Sequence, residues 1–369
     1  MARQAGDSRP ILFVTRKWPP AVGGMELYSR ELAAAYRHLG PTDVVALPGR
    51  ADGRPPHLLR LLGFMVTTAW TLAVRRRRYR LVHFGDLVLF PLCAWARLWA
   101  PGTRRIVTVH GLDLIYGRRR GALPRAYRAY LAFTRWLQGS AAAFVANSSS
   151  TRQVAEAAGF RAVHAVPLGI TLEGEDPQPA DLAMADPPFV LFVGRLVPRK
   201  GAAWFARTVV PLLPEAVTFA VVGAAWDAEE TAALASAPRC RHLGRLPDAE
   251  VEALRRSAVA VVLPNQPGGV ADVEGFGLAA LEAAATGIVI ASRLEGLIDA
   301  VVDGETGFLE AHDDPAAWAR RIAELLDWPT DRRAAFVAQG RAVLRRRYAW
   351  DRVARQTLQA GCREGGEGP

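Results

Sequence analysis

Two glutamates, an arginine–lysine pair, a histidine and several glycines stand where this chain could do chemistry. In VEGFGLAALEAA (273–284), Glu274 and Glu282 are eight positions apart, with Gly275, Phe276 and Gly277 between them. Glycine inside a helix costs roughly 1 kcal/mol relative to alanine, so a helix is expected to begin near Phe276 or Gly277. Glu274 then lies in the loop before it and Glu282 about a turn and a half inside. Flanked by Leu281 and Ala283 to Ala285, Glu282 is expected to be buried. A buried carboxylate needs a partner, either a ligand donor or a structural salt bridge.

In GRLVPRKG (194–201), Arg195 and Lys200 stand between Gly194 and Gly201. A guanidinium that bonds bidentately and an ammonium that acts as a point charge suit a diphosphate; surface decoration is the plainer alternative. RIVTVHG (105–111) brings His110 beside Gly111, with Asp113 close behind. A lone histidine is more often structural than catalytic, and no second His or Cys sits at metal spacing. Gly23 and Gly24 precede the helical pattern ELYSRELAAAY. They could bring backbone N–H groups to an anion, or simply form a tight turn. The loop matches neither GxGxxG nor GxxxxGK[ST], so dinucleotide binding and NTP hydrolysis lose support.

The elements that must position these residues are short apolar strands alternating with helices. ILFVT (11–15), RLVHFG (80–85), RIVTVHG and AAAFVANS (141–148) read as strands in the first half. FVLFVGRL (189–196), TFAVVG (218–223), AVAVVLP (258–264) and IVIAS (288–292) do so in the second. Continuous β-branched runs imply strands covered on both faces, hence parallel sheets in an α/β, doubly wound architecture. In such folds ligands bind outside the carboxyl ends of the strands. Arg195, His110 and the Gly23–Gly24 loop follow such ends. From Asp313 the chain reads as helical, with further helices from about Asp331 and Asp351.

A length of 369 residues suggests two domains. Cys93, Cys240 and Cys362 are far apart, which argues against a disulfide framework or a zinc site and for a reducing compartment. A four-residue apolar core near the N-terminus, ILFV, makes a signal peptide unexpected. The longest uncharged apolar run, Leu61 to Val74, has 14 residues, short of the roughly 18 that span a bilayer. A cytoplasmic or peripheral protein is expected. Charge is uneven: residues 1–172 carry 25 Arg plus Lys and 8 Asp plus Glu, a net of +17, and the remainder is net −7. Nucleic acid, an anionic membrane surface, or a merely solvated basic face would each account for that.

Nine motifs in order resemble the retaining glycosyltransferases of family 4. They are the Gly23–Gly24 loop, the HG at 110–111, ANSSST (146–151), VPLGI (166–170), GRLVPRKG, VVG (221–223), HLGRLPDAEVEAL (242–254), VEGFGLAALEA and DGETGFLE (303–310). The resemblance covers nearly the whole chain and is most specific at GRL…KG and EGFGL…LE. It implies a GT-B fold with two Rossmann-like domains whose parallel sheets face a cleft. The acceptor domain would be 1–172, joined by a C-terminal helix 350–364; the donor domain would be 189–349. Between them, 173–188 in the Pro- and acid-rich TLEGEDPQPADLAMADPP (171–188) reads as a linker.

The resemblance also implies roles. Arg195 and Lys200 would neutralise the diphosphate of a nucleotide sugar, with Gly194 beside them. Glu282 would bind ribose hydroxyls and Glu274 hydroxyls of the transferred sugar. The N–H groups of Phe276, Gly277 and Leu278 would face phosphate or sugar. The Gly23–Gly24 loop would close over the phosphates, His110 would face the sugar, and residues 243–246, including Arg245 and Leu246, would contact the base. Two departures stand out: ATGIVIAS lacks a proline often found before that strand, and Glu295–Gly296 replaces a common glycine pair.

The expected activity is transfer of a hexose or N-acetylhexosamine, with retention, to a saccharide or lipid-linked acceptor in glycan or polysaccharide biosynthesis. No cofactor and no metal is expected, since no DxD-type pair ends a strand. Expected partners are the nucleotide sugar, the acceptor and an anionic membrane surface, with no nucleic acid. Another GT-B enzyme, such as a nucleotide-sugar epimerase or a phosphorylase, shares the architecture. A non-catalytic nucleic-acid-binding protein is motivated by charge alone, and the donor motifs and the missing aromatic–basic interleaving stand against it.

Overall fold

The computed structural model describes residues 8–21, 23–50, 56–75, 77–268 and 275–362. The chain forms two compact units, one running to Gly169 and resuming at Ala349, the other Ile170–Tyr348. The first contains strands β1 (Ile11–Trp18), β2 (Thr42–Pro48), β3 (Leu81–Phe84), β4 (Arg104–Val109), β5 (Ala143–Ala146) and β6 (Val163–Ala165). They form one sheet in the order β2-β1-β3-β4-β5-β6, parallel at every pairing. Ile11, Leu12, Phe13 and Val14 have no solvent exposure; that is why this strand reads as an unbroken apolar run.

The second unit contains β7 (Phe189–Val193), β8 (Thr218–Val222), β9 (Cys240–Gly244), β10 (Val261–Leu263), β11 (Val289–Ser292) and β12 (Phe308–Glu310). Its sheet, ordered β12-β11-β10-β7-β8-β9, is also parallel throughout. Phe205, Trp318 and Ile322 from covering helices are fully buried against it. In each sheet the first strand in sequence has its direct successor on one side and a later strand on the other. The order therefore reverses between β1 and β3, and again between β7 and β10. Those are the crevices where open parallel sheets bind ligands.

The acid- and Pro-rich segment 171–188 is not a free connector. Leu182 is fully buried in the second unit's core. Arg333, 1% exposed, donates to the carbonyls of Leu182, Val259 and Ala258. Burial lowers its pKa to about 10. Asp176 takes two hydrogen bonds from Arg345 at 2.9 Å each and one from Arg341 Nε at 2.7 Å. Those bonds hold its carboxyl down at about 2. The same buried Arg341 donates to the Ala285 carbonyl at 2.9 Å, just past the helix Leu278–Ala284. One guanidinium thus ties the segment to the helix that carries Glu282.

The C-terminal helix, Trp350–Ala360, belongs to the first unit. Asp351 meets His38 at 3.3 Å, and the Trp350 ring lies 6.2 Å from that of Tyr28.

Candidate functional site

In the second unit the carboxyl ends of three strands are drawn into one ledge. Gly194 follows β7 and its N–H donates to the Val222 carbonyl at 2.9 Å. Gly223 follows β8 and donates to the Gly244 carbonyl at 2.7 Å. A Cβ on Gly223 would lie 1.8 Å from the Gly194 carbonyl oxygen, so no other residue fits there. Gly194, Gly223 and Gly244 leave this ledge without side chains, open to close approach by a ligand.

Past Arg195 the chain makes a 3-10 turn, Pro198–Lys200, ending at Gly201 with φ 72°. That left-handed backbone and the Pro264 carbonyl oxygen, 1.9 Å from where a Cβ would stand, both require glycine. Gln266 N–H donates to the Arg199 carbonyl at 2.9 Å. The loop carrying Arg195 and Lys200 is thereby docked beside the end of β10, at the crevice between β7 and β10. Arg195 is exposed and Lys200 half-buried. The Arg195 guanidinium lies 5.5 Å from the centre of the Trp226 ring, a cation–π contact that restrains an otherwise flexible charge. Trp226 was not singled out in the sequence; its signal is an aromatic residue three positions after the VVG strand end.

The helix after β10 starts at Leu278, with Gly277 as its cap. The Phe276 side chain is 2% exposed and its ring stands 6.2 Å from Tyr348, which anchors the helix start. Ala280, Leu281, Ala283 and Ala284 turn inward. The expected burial of Glu282 does not hold: its side chain is 46% exposed and meets Arg255 Nη2 at 3.2 Å. Its buried neighbours occupy the opposite face of the helix and leave Glu282 uncovered beside Arg255. Glu274 lies outside the described residues.

After β9, Arg245 is exposed and Leu246 half-buried. With Leu243, Glu250, Ala253 and Leu254, Leu246 lines a surface groove of about 470 Å³.

In the first unit, Gly23 caps the helix Gly24–Leu39, and both glycines are exposed. His110 is 7% exposed. Its Nε2 is 2.8 Å from the Gly85 carbonyl, and since a carbonyl only accepts, Nε2 carries a hydrogen. The ring packs edge-on to Tyr28 at 5.2 Å. The backbone N–H of His110 donates to Asp113 at 3.3 Å. Beside it, Asp86 is fully buried and 2.8 Å from Arg16 Nε; burial raises its carboxyl above the usual range, against the pull of Arg16. Arg16, Asp86 and Asp113 were missed as a group, although Arg16 lies in β1 and the other two follow β3 and β4.

Gly194, Arg195 and Lys200 are thus brought to the β7 and β10 ends, Arg245 and Leu246 to the β9 end, and Phe276, Gly277 and Leu278 to the start of the next helix. Glu282 lies further along that helix, on its open side. Among the described residues no group of three His, Cys, Asp or Glu could hold a metal ion. The three cysteines are free, and burial pushes the Cys93 thiol up to about 12, which makes it inert.

Comparison with known proteins agrees with this architecture. Residues 22–173 match the family model "Glycosyltransferase Family 4", and residues 187–327 match "Glycosyl transferases group 1". A D-inositol 3-phosphate glycosyltransferase of Salinispora tropica is 35% identical over 185 residues, 46% of this chain. The chain thus covers 37% of that relative's length. A GDP-mannose-dependent monoacylated alpha-(1-6)-phosphatidylinositol monomannoside mannosyltransferase of Corynebacterium glutamicum is 25% identical, over 93% of this chain and 95% of that protein. Anabaena HepE, solved in complex with UDP and glucose, has a TM-score of 0.66 and 19% identity, covering 95% of this chain and 98% of its own. Two six-stranded parallel sheets with flanking helices are the GT-B fold, and the two family models together span most of the sequence. The chain belongs to the family 4 glycosyltransferases, glycosyl transferases group 1.

Proposed function

We propose that this protein transfers a hexose or N-acetylhexosamine from a nucleotide diphosphate sugar, with retention of anomeric configuration and without a metal, to a saccharide or lipid-linked acceptor at the cytoplasmic face of a membrane. The observation that carries this reading is the glycine ledge with Arg195 and Lys200 docked at the β7–β10 crevice. A diphosphate lying on side-chain-free backbone would meet two cations there, and no carboxylate would oppose it from the ledge itself.

In the proposed step the bond from sugar C1 to the diphosphate oxygen breaks as the acceptor oxygen bonds to C1 on the same face. The acceptor proton passes to the departing phosphate oxygen. No protein nucleophile is needed, and His110, with Nε2 held by the Gly85 carbonyl, is poorly suited to be one. Catalysis rests on stabilising charge that builds on the leaving group, the work assigned to Arg195 and Lys200. Glu282 is assigned to ribose, Glu274 to the transferred sugar, Phe276, Gly277 and Leu278 to phosphate or sugar, and Arg245 and Leu246 to the base. His110, Gly23 and Gly24 stand at the carboxyl edge of their own sheet, the edge that parallel sheets use for ligands.

The test is a transfer reaction run in excess chelator, with the product anomer read by NMR. Undiminished activity and the donor's own anomeric configuration are expected. An inverted product, or activity lost to chelator and restored by Mg²⁺ or Mn²⁺, overturns the mechanism.

A further inference from the structure

Helix Leu58–Val74 in the first unit buries Phe64, Thr68 and Leu72. Every fourth residue on its other side is also apolar. Leu58, Leu62, Val66, Trp70 and Val74 are between 51% and 72% exposed. The hydroxyls of Thr67 and Thr71 donate to the carbonyls of Gly63 and Thr67 at 2.9 Å each. Those side chains therefore do not depend on water. The helix Phe90–Trp99 lies alongside, with Trp95 Nε1 donating to the Ala69 carbonyl at 3.0 Å. It adds Trp95, Leu98 and Trp99, which are 37%, 74% and 43% exposed, with the two tryptophan rings 5.4 Å apart. A continuous apolar face of this kind marks an interaction surface.

Charge selects the occupant. Between Asp52 and Asp86 the sequence has seven arginines and no Asp or Glu. Arg60 near one end of the helix and Arg75 and Arg77 past the other are exposed, while Arg78 is paired with Asp43 at 3.0 Å. A second copy of this chain would set arginine against arginine with no carboxylate on either helix to answer them. A bilayer with anionic headgroups supplies both an apolar interior and negative charge at its rim, and tryptophan favours that boundary. No helix among the described residues is long and apolar enough to cross a membrane. The surface therefore fits a face that lies on lipid.

We propose that this face docks on an anionic lipid bilayer, with helix Leu58–Val74 lying along the boundary between headgroups and acyl chains. This deepens the reading of a membrane-side acceptor and rests on it for its purpose, while the docking itself involves none of the donor residues.

The experiment is co-sedimentation of the full chain with phosphatidylcholine vesicles, and with vesicles in which about a third of the lipid is phosphatidylglycerol. The wild type is expected to bind the anionic vesicles at least about tenfold more strongly, and to lose most of that preference near 1 M salt, where the Debye length falls to about 3 Å. The double variant Val66→Glu/Trp70→Glu should lose about tenfold or more in binding. Arg75→Glu/Arg77→Glu should do the same, since each surface arginine is worth about fivefold. Both variants should melt at the wild-type temperature and bind nucleotide as the wild type does. Binding by the Val66→Glu/Trp70→Glu variant equal to wild type, or no wild-type binding to either vesicle, overturns the proposal. So does wild-type self-association that Trp70→Glu abolishes in the absence of vesicle binding. Absence of nucleotide binding beside intact vesicle binding would count against the glycosyltransferase reading and leave the docking face standing.

Discussion

Arg195→Ala is expected to lower turnover about 100-fold or more, with a melting temperature close to wild type, and Lys200→Ala should lower turnover by a similar factor. In the proposed mechanism, negative charge builds on the diphosphate as the glycosidic bond stretches, and each cation would contribute more there than in the ground state. Its removal should therefore lower kcat along with kcat/KM. Arg195 is exposed and its contact is with the Trp226 ring, so truncation leaves no buried group unsatisfied and stability should hardly change. Arg195→Lys should recover only part of the loss, because an ammonium cannot grip two phosphate oxygens in one plane. Near-normal kinetics in both alanine variants would remove the diphosphate from this loop.

The second large effect separates the two glutamates of VEGFGLAALEAA. Glu282→Ala should weaken free nucleotide diphosphate and nucleotide sugar alike, by roughly 1–3 kcal/mol, as expected for charged hydrogen bonds to ribose. Its ion pair with Arg255 in the free protein is 46% exposed on the glutamate side, and exposed pairs contribute at most about 1 kcal/mol. The apo melting curve should therefore barely move. If Glu274 holds the transferred sugar as proposed, Glu274→Ala should leave nucleotide binding nearly intact and instead slow transfer and relax the choice of sugar, because such contacts would strengthen as the sugar departs. Calorimetric titration of each variant with both ligands decides between these roles. Matching ligand profiles, or a large loss of apo stability in both, would make the pair structural.

Which strands could be read from the sequence follows their place in the sheets. The eight strands expected from it are the inner strands β1, β3, β4, β5, β7, β8, β10 and β11. Each is covered on both faces and so appears as an apolar run. The four that were not foreseen, β2, β6, β9 and β12, are the edges of the two sheets. The β9 residues Arg241, His242 and Leu243 are exposed, so no such run marks that strand. The segment 171–188 reads as a linker from its prolines and acids. Its attachment depends on Arg333 and Arg341, more than 150 residues away in sequence, and no local pattern announces that. The position of Arg195 and Lys200 in a loop after a strand end was legible because glycines flank them. The burial expected for Glu282 was wrong because flanking residues say nothing about which way a side chain points on a seven-residue helix. Helical spacing settles that instead: its buried neighbours fall on the other face. The exposure of Trp70 and Leu62 was equally hidden, since an apolar stretch in sequence does not say which of its faces is left uncovered.

The central claim is that the second unit holds a nucleotide sugar through its diphosphate. Thermal melting of the wild-type protein with UDP, GDP and ADP, and with their sugars, tests it most directly. A ligand at about 100 times its dissociation constant stabilises the folded state by about 2.7 kcal/mol, a rise of roughly 5–10 °C for a unit of this size. The expected result is a saturable rise with one nucleotide and its sugar, and a clearly smaller rise in Arg195→Ala or Lys200→Ala at the same concentration. No shift with any of the six ligands at millimolar concentration would contradict the account.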